Sequence, residues 1–249
     1  FTMPLAKSYR QTHFLPRPEK PFKSAFKRLG QLFGELRKNK KAFLFLLAFF
    51  FYIDGVYTII DMATKFGSAL GLEMPSLLIA LLVTQIVAFP SAIAFGVLTK
   101  KVSDAKLIAV CIAAYTFVGF FAVFLYHEWQ FWVLAAMGGR FQGGIQALSR
   151  SYFAKLVPAE KSGEYFGVFD IFGKGAAFLG TLLFGVTTDI ALACGAGDGL
   201  ALHLSILPVA TLFVVGFVLF LYAAKQPDPV FGDADGANSA GPADFADGD

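Results

Sequence analysis

Between residues 42 and 225 the chain alternates long apolar runs with short polar punctuation. About 20 consecutive apolar residues in a helix cross a bilayer core of about 30 Å. Six runs meet that length, at roughly 42–66, 75–99, 105–126, 129–157, 162–190 and 202–224. Glu73-Met74-Pro75, Lys100-Lys101 and His127-Glu128 mark breaks between them, as do the stretch from Pro158 to Gly163 and the Gly195-Ala196-Gly197-Asp198-Gly199 loop. Almost nothing remains from which to build a water-soluble core. The pattern predicts an all-α, multi-pass integral membrane protein with six transmembrane helices.

The flanks read differently. Phe22, Phe26, Leu29, Phe33 and Leu36 recur at helical spacing, so they share one face. Lys20, Lys23, Lys27, Arg28, Arg37 and Lys38 surround that face. The segment predicts an amphipathic helix lying on the inner leaflet; the alternative is a connector helix packed on the membrane domain. From Asp228 the chain is Gly, Ala, Asp and Pro, a composition expected to be disordered. Three regions follow: residues 1–41 as a basic cytoplasmic loop, 42–225 as the membrane part, and 226–249 as an acidic cytoplasmic tail. The chain begins at Phe1, without an initiator Met, and is expected to be cut from something longer.

Composition sharpens this picture. Hydrophobic residues make up 56% of the chain, and only 16% is charged, against about a quarter in a soluble domain. Residues 1–41 hold 11 Lys/Arg and 2 Asp/Glu, residues 42–225 hold 10 of each sign, and the tail holds 6 Asp and no base. The overall charge of +3 hides that segregation. With residues 1–41 in the cytoplasm, 18 of 21 basic residues fall on one side, which satisfies the positive-inside rule. Both termini of the segment then face the cytoplasm. Nucleic-acid binding is not expected, because the basic run leads straight into a span. Cys111 and Cys194 are too few for a disulfide framework and lack metal-ligand spacing. His13, His127 and His203 are scattered, and no nucleophile–base–orienter set is visible, so neither an enzyme nor a cofactor or metal site is expected.

Ionisable residues inside spans cost roughly 2.5–3.5 kcal/mol each on insertion scales, so they point to cavities or partners. In the first span Asp54, Thr58, Asp61 and Lys65 share a face, and Asp61 and Lys65 are spaced to pair. Asp54 is a candidate proton- or substrate-binding carboxylate, or else a structural one bonded to a neighbouring helix. The fourth span carries Arg140, Gln142, Gln146 and Arg150 among Gly138, Gly139, Gly143 and Gly144. Close helix packing accounts for the glycines but not for the polar side chains. Arg140 cannot shed its charge and needs a carboxylate or a substrate anion; Arg150, near the span's end, suits orientation or gating. In the fifth span Asp170 and Lys174 are spaced as an i,i+4 pair, either self-neutralising or part of transport. Gly167 to Lys174 resembles a phosphate loop only superficially, because its glycine spacing is wrong and no strand precedes it.

Six helices behind a basic cytoplasmic segment resemble one half of a major facilitator protein, built from two inverted three-helix repeats. Residues 42–126 and 129–224 would be those repeats. Gly96-Val97-Leu98-Thr99-Lys100-Lys101 is similar to that superfamily's cytoplasmic loop motif, with Lys100 in place of its acid. Tyr52-Ile53-Asp54-Gly55-Val56-Tyr57-Thr58-Ile59-Ile60 and the stretch from Gln142 through Arg150, Pro158 and Gly167 to Lys174 are more specific. They resemble the unidentified-major-facilitator family, which is similar to the vacuolar amino-acid effluxers linked to autophagy. Ile53 and Tyr57 stand where that family would carry Asn and Gln.

The resemblance implies the C-terminal half of a twelve-helix secondary transporter, with the N-terminal six-helix half absent here. It suggests alternating access and export of amino acids or similar small metabolites, in the cell membrane rather than a vacuole. Asp54, Asp61, Arg140, Gln142, Gln146, Arg150, Asp170 and Lys174 would line the substrate or proton pathway. The expected partners are that small-molecule substrate, membrane lipid and the missing half. The alternative is a non-transporting scaffold or receptor on the same fold.

Overall fold

The computed structural model describes residues 21–158 and 161–227, with side chains from Arg28 onward. These residues form helices and no strand: α1 (Pro21–Lys38), α2 (Lys40–Ala69), α3 (Met74–Leu98), α4 (Asp104–Ala122), α5 (Glu128–Lys155), α6 (Ser162–Ala193), α7 (Asp198–Leu204) and α8 (Ile206–Ala224).

Local chemistry sets the ends. Asn39 caps α2 by accepting from the Ala42 amide at 3.1 Å, and its Nδ2 donates to the Leu156 carbonyl at 3.0 Å. Pro75 sits in the first turn of α3, where its missing N–H is harmless. The ends of α2 and α6 are built alike. Gly71 (φ 86°) and Gly195 (φ 87°) take the left-handed conformation, and the amides of Leu72 and Ala196 donate back to Gly67 and Ala191, each at 3.0 Å. Between α7 and α8, the Ser205 hydroxyl donates to the Ala201 carbonyl at 2.7 Å and shares a 2.7 Å hydrogen bond with Thr188.

Five segments are long and apolar enough to cross a membrane: α2, α3, α4, α6 and the α7–α8 pair from Asp198 to Ala224. The chain is therefore a multi-pass integral membrane protein. The expected fourth span is also helical, as the 28-residue α5. It does not join the apolar set, because Arg140, Gln142, Gln146 and Arg150 interrupt its hydrophobic run.

Two trios organise the bundle. Helix α2 packs on α6 and α8, α5 packs on α3 and α4, and α4 against α8 joins the trios. Small residues allow the close contacts. The Gly139 and Gly143 positions abut the backbone of Thr84 and Ala88 on α3, and Gly216 abuts the backbone of Tyr52. Aromatic rings fill the α2 side of the core: Phe49 stacks on Phe169 at 4.2 Å, and Phe45 meets Tyr152 at 4.9 Å. Leu78, Leu82, Ile86, Phe89 and Ile93 project outward from α3, as an apolar solvent permits.

Helix α1 lies across the start of α2 and α6. Leu32 and Leu36 are buried there, and the Phe33 ring meets those of Phe43 and Phe172. Arg28 pairs with Glu164, while Lys161 and the Tyr165 hydroxyl both donate to Glu35. This half of the amphipathic face is covered by the bundle, as in a connector helix. The side chains of Phe22, Phe26, Lys20, Lys23 and Lys27, and the acidic tail, lie outside the described residues.

Candidate functional site

Asp54 sits halfway along α2 and is fully buried. Its Oδ1 accepts a 2.9 Å hydrogen bond from the backbone N–H of Gly180 on α6. Its Oδ2 has no hydrogen-bond partner among the described residues, and neither does the hydroxyl of Thr58 one turn on. Gly180 makes this arrangement possible: a Cβ there would fall on the Thr58 hydroxyl and lie 3.1 Å from Asp54 Oδ1. A buried carboxylate held by a single amide is poorly compensated.

Thr58 also opens onto a cavity of about 100 Å³ in the end of the bundle remote from α1. Thr84, Gln85, Tyr115 and Gln142 add polar atoms to its mostly apolar wall. The Tyr115 hydroxyl is used, donating to the Gly138 carbonyl at 2.9 Å. The Gln142 carbonyl oxygen is buried without a partner among the described residues. Space with unsatisfied oxygens suits water or a polar ligand.

A second cluster lies nearer α1. Arg150 of α5 donates to Asp170 Oδ1 of α6 at 2.8 Å, and its guanidinium lies 5.9 Å from the Phe166 ring centre and 5.8 Å from that of Phe169. The expected Asp170–Lys174 pair does not form. Arg150 reaches Asp170 from across the bundle with a planar, directional donor, and Lys174 is left exposed without an ion-pair partner among the described residues. The expected Asp61–Lys65 pair does not form either. Both side chains are exposed, and the Lys65 ammonium lies 5.7 Å over the Phe184 ring. Arg140 stands apart from both clusters. It borders a groove of about 530 Å³ with Pro90, Ser91, Phe95 and Lys101. Gln146 is half-buried, one turn before Arg150.

Sequence reasoning missed the partners that cross between helices. The Tyr52 hydroxyl bonds the Ser149 hydroxyl at 2.6 Å, tying α2 to α5. Lys155 pairs at 2.7 Å with the buried Asp104, tying the end of α5 to the start of α4. Polar residues inside apolar runs were the available signal for Tyr52 and Ser149. Nothing in the sequence singled out Gly180.

The sequence matches the family described as vacuole effluxer Atg22 like over residues 1–226. The chain belongs to that family. It is 42% identical over 226 residues to the MFS-type transporter YxiO of Bacillus subtilis, covering 91% of this chain and 51% of YxiO. Autophagy-related protein 22 of Saccharomyces cerevisiae is 33% identical over 174 residues, covering 65% of this chain and 33% of the yeast protein. Its counterpart in Yarrowia lipolytica is 30% identical over 177 residues, covering 66% of this chain and 30% of the relative. The chain thus spans about half the length of YxiO and about a third of the fungal relatives. YxiO bears the name of a transporter and the family that of effluxers, neither of them an enzyme.

Proposed function

We propose that the chain is the C-terminal half of a secondary transporter that works by alternating access and exports amino acids or similar small metabolites. The observation that carries this is Asp54, a fully buried carboxylate with one oxygen unpartnered among the described residues, one turn before Thr58, whose buried hydroxyl is also unpartnered there and which lines a cavity. A scaffold has no need of such a poorly compensated charge. The match to half of YxiO supports the reading of a half transporter. So does the exchange of packing partners, with α2, the first helix of residues 42–126, on α6 and α8, and α5, the first helix of residues 129–224, on α3 and α4. Helix α5 is then the fourth of six spans. Residues 1–41 form the central cytoplasmic loop, 226–249 a cytoplasmic tail, and the protein resides in the cell membrane.

In this reading Asp54 carries the proton or the substrate amine. Gln142 and Gln146 contact the polar substrate from α5, Arg140 contacts it from the neighbouring groove, and Asp61 and Lys174 lie along the path. The pair that rearranges between states is Arg150–Asp170. The test is amino-acid counterflow in liposomes carrying the full-length protein. Asp54→Asn is expected to lower the rate at least ten-fold at unchanged expression; a wild-type rate removes Asp54 from the mechanism. A scaffold or receptor would instead tolerate alanine at both Asp54 and Gln146.

A further inference from the structure

The Arg150–Asp170 pair differs from an ordinary stabilising ion pair. Its two side chains remain 60% and 46% exposed, although they project from helices embedded in apolar sequence. A charge turned toward lipid is costly, so this face opens on water or protein rather than hydrocarbon. The guanidinium is nonetheless held in place by the Phe166 and Phe169 rings. Tyr57 of α2 lies within electrostatic reach of both charges, and Gln146 stands one turn before Arg150 on the same side of α5. The result is a fixed cation, an adjacent anion and two polar side chains on an accessible face.

We propose that this pair recognises the two charged ends of a zwitterion. The substrate carboxylate takes the Arg150 guanidinium, the substrate ammonium takes the Asp170 carboxylate, and the internal pair re-forms when the substrate leaves. The proposal rests on the transporter reading, in which it leaves Asp54 the proton, and names the residues that select its substrate. The reason is charge balance. A simple anion would occupy Arg150 and leave Asp170 unpaired beside it, and a simple cation would do the reverse; only a ligand that carries both charges matches both ends at once. An α-amino acid carries both charges on one small unit, so it exchanges one internal pair for two external ones. The planar fork of Arg150 suits a carboxylate, and the single-point Asp170 suits an ammonium. Blocking either end of the substrate removes the match.

The test uses the full-length protein in liposomes, with counterflow of a radiolabelled mixture of natural amino acids. Unlabelled mixtures of the same amino acids, their N-acetyl derivatives and their amides serve as competitors. The blocked derivatives are expected to compete at least ten-fold more weakly. The double variant Arg150→Gln/Asp170→Asn removes both charges and strands neither. It is expected to keep the wild-type melting temperature, to lose exchange at least ten-fold and to lose thermal stabilisation by the amino-acid mixture. Should it not fold, Arg150→Lys decides: a higher half-saturation concentration supports the site, and an unchanged one overturns it. A fully active double variant, or blocked derivatives that compete equally, overturns the zwitterion site and leaves the transporter reading intact. A wild type that exchanges nothing overturns both.

Discussion

Two adjacent glycines on α5 allow a direct test of how α5 meets α3. A Cβ at Gly138 would find nothing within 4 Å. A Cβ at Gly139 would lie 2.6 Å from the Thr84 carbonyl oxygen and 3.0 Å from the Thr84 Cα. Those are backbone atoms, so no rotamer change relieves the clash, and the helices must move apart. Replacing a helix-interior Gly with Ala stabilises by roughly 0.5–1 kcal/mol through backbone entropy. Overpacking a close contact costs about 1–3 kcal/mol. Gly138→Ala is therefore expected to gain about 0.5–1 kcal/mol. Gly139→Ala shares that gain, so the difference between the two variants isolates the overpacking cost, about 1–3 kcal/mol. Reversible unfolding in mixed micelles, followed by circular dichroism, measures both. Gly143→Ala should behave like Gly139→Ala, since its Cβ would meet the Ala88 carbonyl. Equal shifts for Gly138→Ala and Gly139→Ala would refute close α3–α5 packing.

Two further outcomes follow from contacts at the α1 end. Lys155→Ala leaves the Asp104 carboxylate, only 6% exposed, without its cation; a loss of about 1–3 kcal/mol is expected, with Arg at 155 restoring most of it, read by the same unfolding assay. Glu35 lies outside the membrane, and the hydrogen bond from Lys161, followed by that from Tyr165, holds its carboxyl below the ordinary glutamate range. A depressed folded value means that the stabilisation is complete above the ordinary glutamate value and is lost as pH falls through the depressed one. Spin labels on α1 and α6 should therefore separate on acidification below that value and stay indifferent to pH in Glu35→Gln; a distance equally pH-sensitive in the variant would dismiss the Glu35 latch.

The all-helical, membrane-spanning character was legible in the sequence because membrane spans obey a local rule. A run of about 20 apolar residues satisfies its backbone internally wherever its neighbours lie. The breaks at Glu73, Lys100-Lys101 and His127-Glu128 therefore fell at real helix ends. The glycines of α5 were read as packing positions, and at Gly139 and Gly143 they are. The polar stripe of Arg140, Gln142, Gln146 and Arg150 was visible too, because such residues are out of place in an apolar helix. It also explains why α5 falls short of the apolar five.

What the sequence could not supply was partnership between helices. Spacing along one helix placed Asp61 near Lys65 and Asp170 near Lys174, and neither pair forms. An i,i+4 ion pair is worth only a few tenths of a kcal/mol, so a contact from another helix easily displaces it. Arg150 takes Asp170, Ser149 takes Tyr52, and the Gly180 amide takes Asp54. Local sequence thus determined that this chain lies in a membrane and which polar residues it carries there. Tertiary packing alone decided which of them meet, because it sets the distances between helices and the energy of a charge or hydrogen bond depends on those distances.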